Sequence, residues 1–208
     1  METILDINRT IAIQLFENKT DPKEVLPEIK EFILKLGDLL PKDLFDNPRE
    51  GVWIARSASV APSAVIESPC IIDEESTIRH CAYIRGSAII GKKAVVGNST
   101  EIKNSILFDG VQVPHFNYVG DSVLGYKAHF GAGVITANVR SDKKPVCEGY
   151  RKLGAIVGDR AEIGCNSVLC PGCVIGPDAI VYPLSRVRGN VPANSIFKAQ
   201  DDIVRRDL

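Results

Sequence analysis

The chain is poor in the features that mark nucleic-acid-binding, secreted or membrane proteins. It has one Trp, three His and a formal net charge of −1 in 208 residues. A nearly neutral chain offers no electrostatic reason to bind nucleic acid or an anionic membrane, so neither partner is expected. No apolar run approaches the roughly 20 residues of a membrane-spanning helix. The N-terminus METILDINRT is acidic and polar, unlike a secretory signal. We therefore expect a cytoplasmic protein.

Six cysteines are present, and cysteines can indicate disulfides or a metal site. Two of them, Cys70 and Cys173, stand where a small core filler is expected from the repeat described next. In a cytoplasmic protein the thiols stay reduced. We therefore expect reduced, unligated cysteines and no metal.

The strongest signal is an aliphatic or aromatic residue at every sixth position, with a small residue four positions later. The series is Ile54, Val60, Ile66, Ile72, Ile78, Ile84, Ile90, Val96, Ile102 and Phe108, and later Val157, Ile163, Leu169, Ile175, Val181 and Val187. Neither a helix, with its period of 3.6, nor a simple alternating strand gives this spacing. A period of six indicates an all-β protein, a parallel β-helix of hexapeptide repeats.

Three hexapeptides would close one triangular coil of 18 residues, and the coils would stack at the usual strand spacing of roughly 4.8 Å. One coil cannot bury its own apolar face, so several must stack and the ends must be capped. We assign the β-helix to residues 51–195 and a C-terminal tail to residues 196–208. Residues 1–50 lack the period, and we expect them to form a small helical cap. Within them Asp21 and Pro22 predict the start of a helix, by N-cap and first-turn preferences.

The repeat is interrupted after Phe108. Pro114 takes the next expected position, and the series resumes one residue out of phase at Val119. Residues 136–155 then contain no repeat position. A loop of this length in a repeat protein is usually functional or disordered, and this one is locally basic, which suits an anionic ligand.

Arg85 and Lys103 are separated by 18 residues, which is one coil. Their side chains should therefore stack on one corner, where two like charges repel by a few tenths of a kcal/mol to about 1 kcal/mol. An anion between them would remove the repulsion. This pair is the main indication, from the residues themselves, of a phosphate or carboxylate site. The alternative is that both are solvated surface cations.

The run EIKNSILFDGVQVPHFNYVGDSVLGYKAHFGAGVITAN resembles a known acetyltransferase. It is similar to the acetyltransferase domain of bifunctional glucosamine-1-phosphate acetyltransferase/N-acetylglucosamine-1-phosphate uridyltransferase, and closer still to that of archaeal sugar-1-phosphate nucleotidyltransferases. The resemblance covers roughly residues 52–195. It implies a left-handed β-helix, acetyl-CoA as co-substrate, an amino-sugar phosphate acceptor and a homotrimer with pockets between neighbouring prisms.

The resemblance also implies roles for single residues. His115 matches the catalytic base. Substrate-binding positions match Arg85, Lys103, Tyr118 and His129, together with one loop lysine, which is Lys144 or Lys152 depending on the direction of alignment. Acetyl-CoA contacts are expected at Ala132, Asn138, Cys165 and Pro183.

His129 stands where the bacterial enzyme usually has a sugar-contacting asparagine, and Val139 where it has a tyrosine. The nucleotidyltransferase domain has no counterpart in this sequence.

A proton must leave the acceptor ammonium before it can attack a thioester, and a histidine can take that proton at cellular pH. Backbone N–H groups around Gly131, Ala132 and Gly133 could stabilise the oxyanion.

Two other functions remain open. A γ-type carbonic anhydrase shares the fold but needs three histidines on zinc, and His80, His115 and His129 lack the usual close pair. The chain could also be a non-catalytic module that binds a sugar nucleotide or serves regulation or assembly beside a nucleotidyltransferase. The retained base, cation pair and loop favour the acetyltransferase.

Overall fold

The computed structural model of the chain describes residues 4–206. Residues 7–37 hold two short 3₁₀ helices, Ile7–Arg9 and Pro22–Val25, and two α-helices, α1 (Ile13–Phe16) and α2 (Ile29–Gly37). As expected, Asp21 caps the helical turn that starts at Pro22: its carboxylate accepts a hydrogen bond from Lys23 N–H, and Glu24 completes a capping box. The expected single helix is divided there into a 3₁₀ turn and α2.

Short strands fill the rest of the chain. In chain order they are β1 (Phe45–Arg49), β2 (Val52–Ala55), β3 (Ser59–Val60), β4 (Val65–Ile66), β5 (Cys70–Ile72), β6 (Thr77–Ile78), β7 (Tyr83–Ile84), β8 (Ala88–Ile90), β9 (Val95–Asn98), β10 (Glu101–Lys103), β11 (Ser105–Leu107), β12 (Gln112–His115) and β13 (Tyr118–Gly120). They continue as β14 (Val123–Leu124), β15 (His129–Phe130), β16 (Ile135–Thr136), β17 (Ala155–Val157), β18 (Glu162–Ile163), β19 (Val168–Leu169), β20 (Cys173–Ile175), β21 (Ile180–Val181), β22 (Arg186–Val187), β23 (Asn190–Val191), β24 (Ser195–Ala199) and β25 (Asp202–Arg205).

Successive strands go to three different sheets in turn, which makes a three-sided solenoid. The first sheet has the order β1-β2-β5-β8-β11-β14-β17-β20-β23, the second β25-β24-β21-β18-β15-β12-β9-β6-β3, and the third β22-β19-β16-β13-β10-β7-β4. All pairings inside the solenoid are parallel, such as Ile72 with Ile90. The parallel β-helix predicted from the period of six is confirmed.

The phase of the repeat slips earlier than the sequence indicated. Leu107, and not Phe108, pairs with Ile90. Val113 and Val119 then pair with Val96 and Ile102, so this coil is one residue short. Phe108 was placed wrongly because either apolar neighbour can fill the position. Its ring is fully buried and meets Phe16 edge-on, with centroids 5.4 Å apart.

The N-terminal segment covers the outer side of the first sheet. Side chains alternate in a strand, so Ile71 and Ile89 point outward, yet both are fully buried. Helix α2 packs on β5 and β8. Further along, Asp6 N–H donates a hydrogen bond to Asp159 Oδ2 (2.8 Å). The segment therefore runs along several coils instead of covering only the first.

Both ends of the solenoid finish in antiparallel hairpins. At the start β1 pairs with β2, and at the end β24 pairs with β25. The solenoid thus extends through β24, past the expected limit at residue 195, and the residues expected to form a tail turn back as β25. Antiparallel ends stop further parallel pairing and protect the edges. None of the helices within residues 4–206 is long and apolar enough to cross a membrane.

Candidate functional site

Arg85 and Lys103 hold equivalent positions in adjacent coils, directly after β7 and at the end of β10. Ile84 pairs with Ile102, and Arg85 N–H donates to the carbonyl of Ile102 (2.8 Å). The next position in this column is Gly120, which pairs with Lys103. The column lies on the corner between the third and first sheets, and the 18-residue spacing does place the two cations in one stack.

Each of these cations already has a carboxylate partner. Arg85 Nη1 lies 2.8 Å from Glu101 Oε1, and Lys103 Nζ lies 3.5 Å from Asp121 Oδ2. The hydrogen bond to Glu101 raises the pKa of Arg85. The repulsion expected between the two cations is therefore offset by acidic residues and does not itself require an anion.

Asp121 is the centre of a polar cluster that the sequence reasoning missed. The residue is only 5 % exposed, and its carboxylate accepts hydrogen bonds from the amides of Asn104 (2.9 Å) and Asn138. The Asn138 amide also lies 3.2 Å from the hydroxyl of Tyr118. The available signal was the Gly-Asp-Ser that follows Tyr118. Asp121 therefore links Lys103, Asn138 and Tyr118.

Tyr118 lies on the outer surface of the third sheet, half-buried against Gly120. A Cβ at position 120 would come within 2.5 Å of the Tyr118 hydroxyl oxygen, so a larger residue there would displace the ring. Burial raises the pKa of the Tyr118 phenol, which keeps it as a neutral hydrogen-bonding group.

A second column follows the corner between the second and third sheets. Gly133 N–H donates to the carbonyl of His115 (3.0 Å), Asn166 N–H to that of Ala132 (2.8 Å), and Leu184 N–H to that of Cys165 (2.9 Å). His115, Ala132, Cys165 and Pro183 therefore occupy one corner in consecutive coils. His115 is exposed, and its own N–H donates to Asn117 Oδ1 (3.1 Å).

The two columns flank the third sheet at opposite ends of its short strands. His115 stands just before β13, and the column of Arg85, Lys103 and Gly120 closes the other end. A strand rises about 3.3 Å per residue and five residue steps lead from His115 to Gly120, so the columns lie at most roughly 16 Å apart. Asn138 belongs to the Asp121 cluster, on the side of the cations. Asn138 was expected to contact acetyl-CoA, but it lies on a different corner from the other expected contacts, Ala132, Cys165 and Pro183.

The remaining expected residues lie elsewhere on the chain. His129 is on β15 in the second sheet, with Nδ1 2.7 Å from Glu162 Oε2, and it does not share a surface with Tyr118. Lys144 and Lys152 are exposed in the loop between β16 and β17. Lys144 N–H donates to Asp142 Oδ1 (3.2 Å), and that carboxylate also binds Arg140. The choice between the two lysines stays open.

Within residues 4–206 no three His, Cys, Asp or Glu side chains come together closely enough to hold a metal ion. His80, His115 and His129 form no cluster. Cys170 and Cys173 have the CxxC spacing often used for metals or redox chemistry, but both are free thiols. Cys173 Sγ is buried 3.0 Å from the carbonyl of Val187, and burial raises the pKa of this thiol to about 12.

Two family models match the solenoid. Residues 66–147 match the GMPPB C-terminal domain, and residues 154–189 match the bacterial transferase hexapeptide with its six repeats. The chain contains the hexapeptide repeat of bacterial transferases. The resemblance drawn from the sequence is thereby confirmed for the repeat itself.

Relatives by sequence include two archaeal bifunctional proteins. The chain is 37% identical over 112 residues to the bifunctional protein GlmU of Methanococcus maripaludis, covering 50% of this chain and 27% of that protein. It is 39% identical over 107 residues to the bifunctional sugar-1-phosphate nucleotidylyltransferase/acetyltransferase of Sulfurisphaera tokodaii, covering 47% and 27%. The chain thus spans about a quarter of the length of these relatives.

Solved structures with some likeness include the acetyltransferase domain of PglB from Neisseria gonorrhoeae in complex with acetyl coenzyme A. It is 14% identical, with a TM-score of 0.37, and covers 73% of this chain and 56% of that one. At this level of likeness no role of a residue is transferred from it.

Proposed function

We propose that the chain is an acetyl-CoA-dependent N-acetyltransferase that acts on an amino-sugar phosphate such as glucosamine-1-phosphate. The observation that carries the proposal is the arrangement around the third sheet: an exposed His115 on one side, the Arg85 and Lys103 column on the other, and Tyr118 between them. The similarity to a bifunctional sugar-1-phosphate nucleotidylyltransferase/acetyltransferase supports it.

In the proposed complex the phosphate binds Arg85 and Lys103, and the sugar ring lies over Tyr118. Exposed ion pairs contribute only about 0–1 kcal/mol, so phosphate oxygens can replace Glu101 at Arg85 at little cost. Charge-assisted hydrogen bonds to a phosphate are stronger than those to neutral groups. With the phosphate at this column and the sugar ring over Tyr118, the amine points along the third sheet toward His115.

His115 acts as the general base. It removes a proton from the amine as the nitrogen attacks the thioester carbonyl of acetyl-CoA. The tetrahedral intermediate then collapses, the C–S bond breaks, and the departing CoA thiolate takes up the proton from His115. The products are the N-acetyl sugar phosphate and free CoA. Holding both reactants in this geometry lowers the activation free energy by several kcal/mol.

Two of the three backbone N–H groups expected near the oxyanion already have acceptors. Gly131 N–H is already used by the carbonyl of Ile163 (2.7 Å), and Gly133 N–H by that of His115 (3.0 Å). Between them only Ala132 N–H has no hydrogen bond among the described residues. We assign the oxyanion contact to Ala132 N–H, with acetyl-CoA running along Ala132, Cys165 and Pro183 on the same corner as His115.

The second candidate function is a non-catalytic module that binds a sugar nucleotide or a protein partner. Two observations favour it: Arg85 and Lys103 are already paired with carboxylates, and no side chain within residues 4–206 hydrogen-bonds the imidazole of His115 to orient it. Catalytic bases are usually oriented by a third group.

A thiol-release assay separates the two candidates. Purified protein is given acetyl-CoA with glucosamine-1-phosphate, glucosamine-6-phosphate or unphosphorylated glucosamine. The acetyltransferase should release CoA thiol with glucosamine-1-phosphate at a rate well above that with glucosamine. If the sugar phosphate binds in calorimetry but no acceptor supports thiol release, the module is correct.

The trimer implied by the resemblance belongs to this proposal. Pockets between prisms would let His129 on the second sheet of one protomer approach the third sheet of its neighbour. Light scattering should then give a mass three times the 22.6 kDa of the chain. A monomer would leave His129 outside the site.

A further inference from the structure

A second concave surface lies away from His115, Tyr118 and the column of Arg85 and Lys103. A cavity of about 790 Å³ opens where the first and second sheets meet, beside the N-terminal segment. Its charged lining consists of five cations and two carboxylates: Arg9, Lys92, Lys93, Lys127 and Arg160 against Asp109 and Glu162. This volume is within the range of small-molecule sites, roughly 300–1,000 Å³.

Tyr126 brings two of the cations together. The guanidinium carbon of Arg9 lies 5.0 Å from the centre of its ring, and Lys127 Nζ lies 5.1 Å from it. Cation–π attraction holds both charges in place without neutralising either one. No carboxylate within residues 4–206 forms an ion pair with Lys127. Lys127 thus stands at the wall of the cavity beside Arg9, whose Nε pairs with Asp6 (3.3 Å).

The backbone fixes Arg9 against this corner. Asp109 N–H donates to the carbonyl of Arg9 (3.0 Å). The buried carboxylate of Asp159 accepts hydrogen bonds from Asp6 N–H and Tyr126 N–H, each at 2.8 Å. These hydrogen bonds fix the backbone on both sides of Arg9. A preorganised cation binds an anion more tightly than a mobile one. Arg9 lies outside both family matches, so this feature belongs to the chain's own N-terminal segment.

Several cations retain free donors. Arg9 uses only Nε for Asp6 (3.3 Å), and Arg160 uses Nε and Nη2 for Asp178 (2.9 and 2.7 Å), which leaves Nη1. Lys92 and Lys93 pair with Glu74 and Glu75, which do not line the cavity. Exposed pairs of this kind hold their partners weakly, so an entering anion can compete for these groups.

We propose that this cavity binds the phosphate groups of a small phosphorylated metabolite, chiefly through Arg9, Lys127 and Arg160. A terminal diphosphate fits best, because guanidinium and ammonium groups recognise phosphate oxygens by charge-assisted hydrogen bonds and several are arranged around one space. The site is distinct from that of His115. Strand β12 begins at Gln112 in the cavity wall and ends at His115 on the other corner, so a rigid strand of four residues connects the two sites.

Calorimetric titration of the full chain tests this proposal. The probes are inorganic pyrophosphate, uridine diphosphate and uridine. The double variant Arg9→Gln/Lys127→Gln is compared with Lys30→Gln/Lys35→Gln, which removes two exposed cations from helix α2. We expect pyrophosphate to bind the wild type and the control equally, and the cavity variant at least tenfold more weakly, since hydrogen bonds to charged groups are among the strongest.

The other outcomes are equally informative. Uridine diphosphate binding more tightly than pyrophosphate would show a nucleoside contribution, and equal affinity would show that phosphate alone is recognised; both support the proposal. His115→Ala should bind pyrophosphate as the wild type does, whether or not the chain is an acetyltransferase. The proposal is overturned if the wild type binds neither phosphate probe, if the cavity variant with unchanged circular dichroism binds normally, or if His115→Ala abolishes binding.

Discussion

The carboxylate of Asp121 lies 3.5 Å from Lys103 Nζ, one coil further along the solenoid, and it also accepts hydrogen bonds from two asparagine amides. Asp121 is buried, so its removal leaves three donors without their acceptor. We expect Asp121→Ala to lower the free energy of unfolding by about 2–4 kcal/mol in urea titrations, because buried unsatisfied groups are costly. Asp121→Asn, which keeps one acceptor oxygen, should lose less.

Asp142→Ala is the matched control for Asp121. Asp142 pairs with Arg140 in the exposed loop between β16 and β17. Its loss should change stability far less than the loss of Asp121, because exposed ion pairs contribute little. Equal effects of the two alanine variants would mean that Asp121 does not organise the site.

Arg85 and Lys103 should set the affinity for the phosphate of the acceptor. We expect Arg85→Ala and Lys103→Ala each to raise KM for the amino-sugar phosphate about tenfold or more, since each removes a charge-assisted contact. The rate with an unphosphorylated amino sugar should change little, which separates a phosphate contact from a loss of folding. Lys30→Ala on helix α2 serves as the cation control. If KM for both acceptors rises equally, the column does not bind phosphate.

The period of six was sufficient to predict the solenoid, because an inward aliphatic residue in each short strand is a direct physical requirement of a closed coil. It could not locate the phase slip, since Leu107 and Phe108 are both apolar and only the stacking of Leu107 on Ile90 decides between them. The period also did not predict that a helical segment covers Ile71 and Ile89. Both are fully buried although neither belongs to the six-residue series.

At the site, spacing by one coil correctly stacked Arg85 on Lys103. It did not reveal their carboxylate partners, because Glu101 and Asp121 reach them from the adjoining coil. The cavity beside Arg9 was also invisible to a repeat analysis. Arg9 and Tyr126 are far apart in the chain, and their contact depends on how the N-terminal segment docks on the solenoid.

Phe16 joins the N-terminal segment to the solenoid. Its ring is fully buried and packs edge-on against Phe108. We expect Phe16→Ala to lower the free energy of unfolding by about 3–5 kcal/mol, the usual effect of removing a buried aromatic ring. Leu39→Ala, at a side chain that is 80% exposed, should have little effect. Comparable losses from both substitutions in thermal unfolding would contradict the packing described for this segment.

Asp73 should make stability depend on pH. Its carboxyl is buried, Oδ2 has no hydrogen-bond partner among the described residues, and desolvation raises its pKa to about 6. The folded chain therefore keeps a proton that the unfolded chain loses near pH 4. This contribution to stability is fully present below about pH 4 and is lost as the pH rises through about 6, with a size of roughly 3 kcal/mol.

The comparison of Asp73→Asn with Asp43→Asn isolates this effect. Urea unfolding between pH 4 and pH 6 should show a weaker loss of stability with rising pH in Asp73→Asn than in the wild type. Asp43 is exposed, and its variant should follow the wild-type curve. Parallel curves for all three proteins would show that Asp73 does not titrate as described.

The most direct test is the rate of acetyl transfer by His115→Ala, measured by release of CoA thiol with saturating glucosamine-1-phosphate and acetyl-CoA. We expect kcat to fall by about 10²–10⁴-fold, the contribution of a general base. Circular dichroism and the affinity for the sugar phosphate should stay unchanged, because His115 is exposed and stands apart from Arg85 and Lys103. A variant that keeps the wild-type kcat would mean that His115 is not the general base of an acetyltransferase.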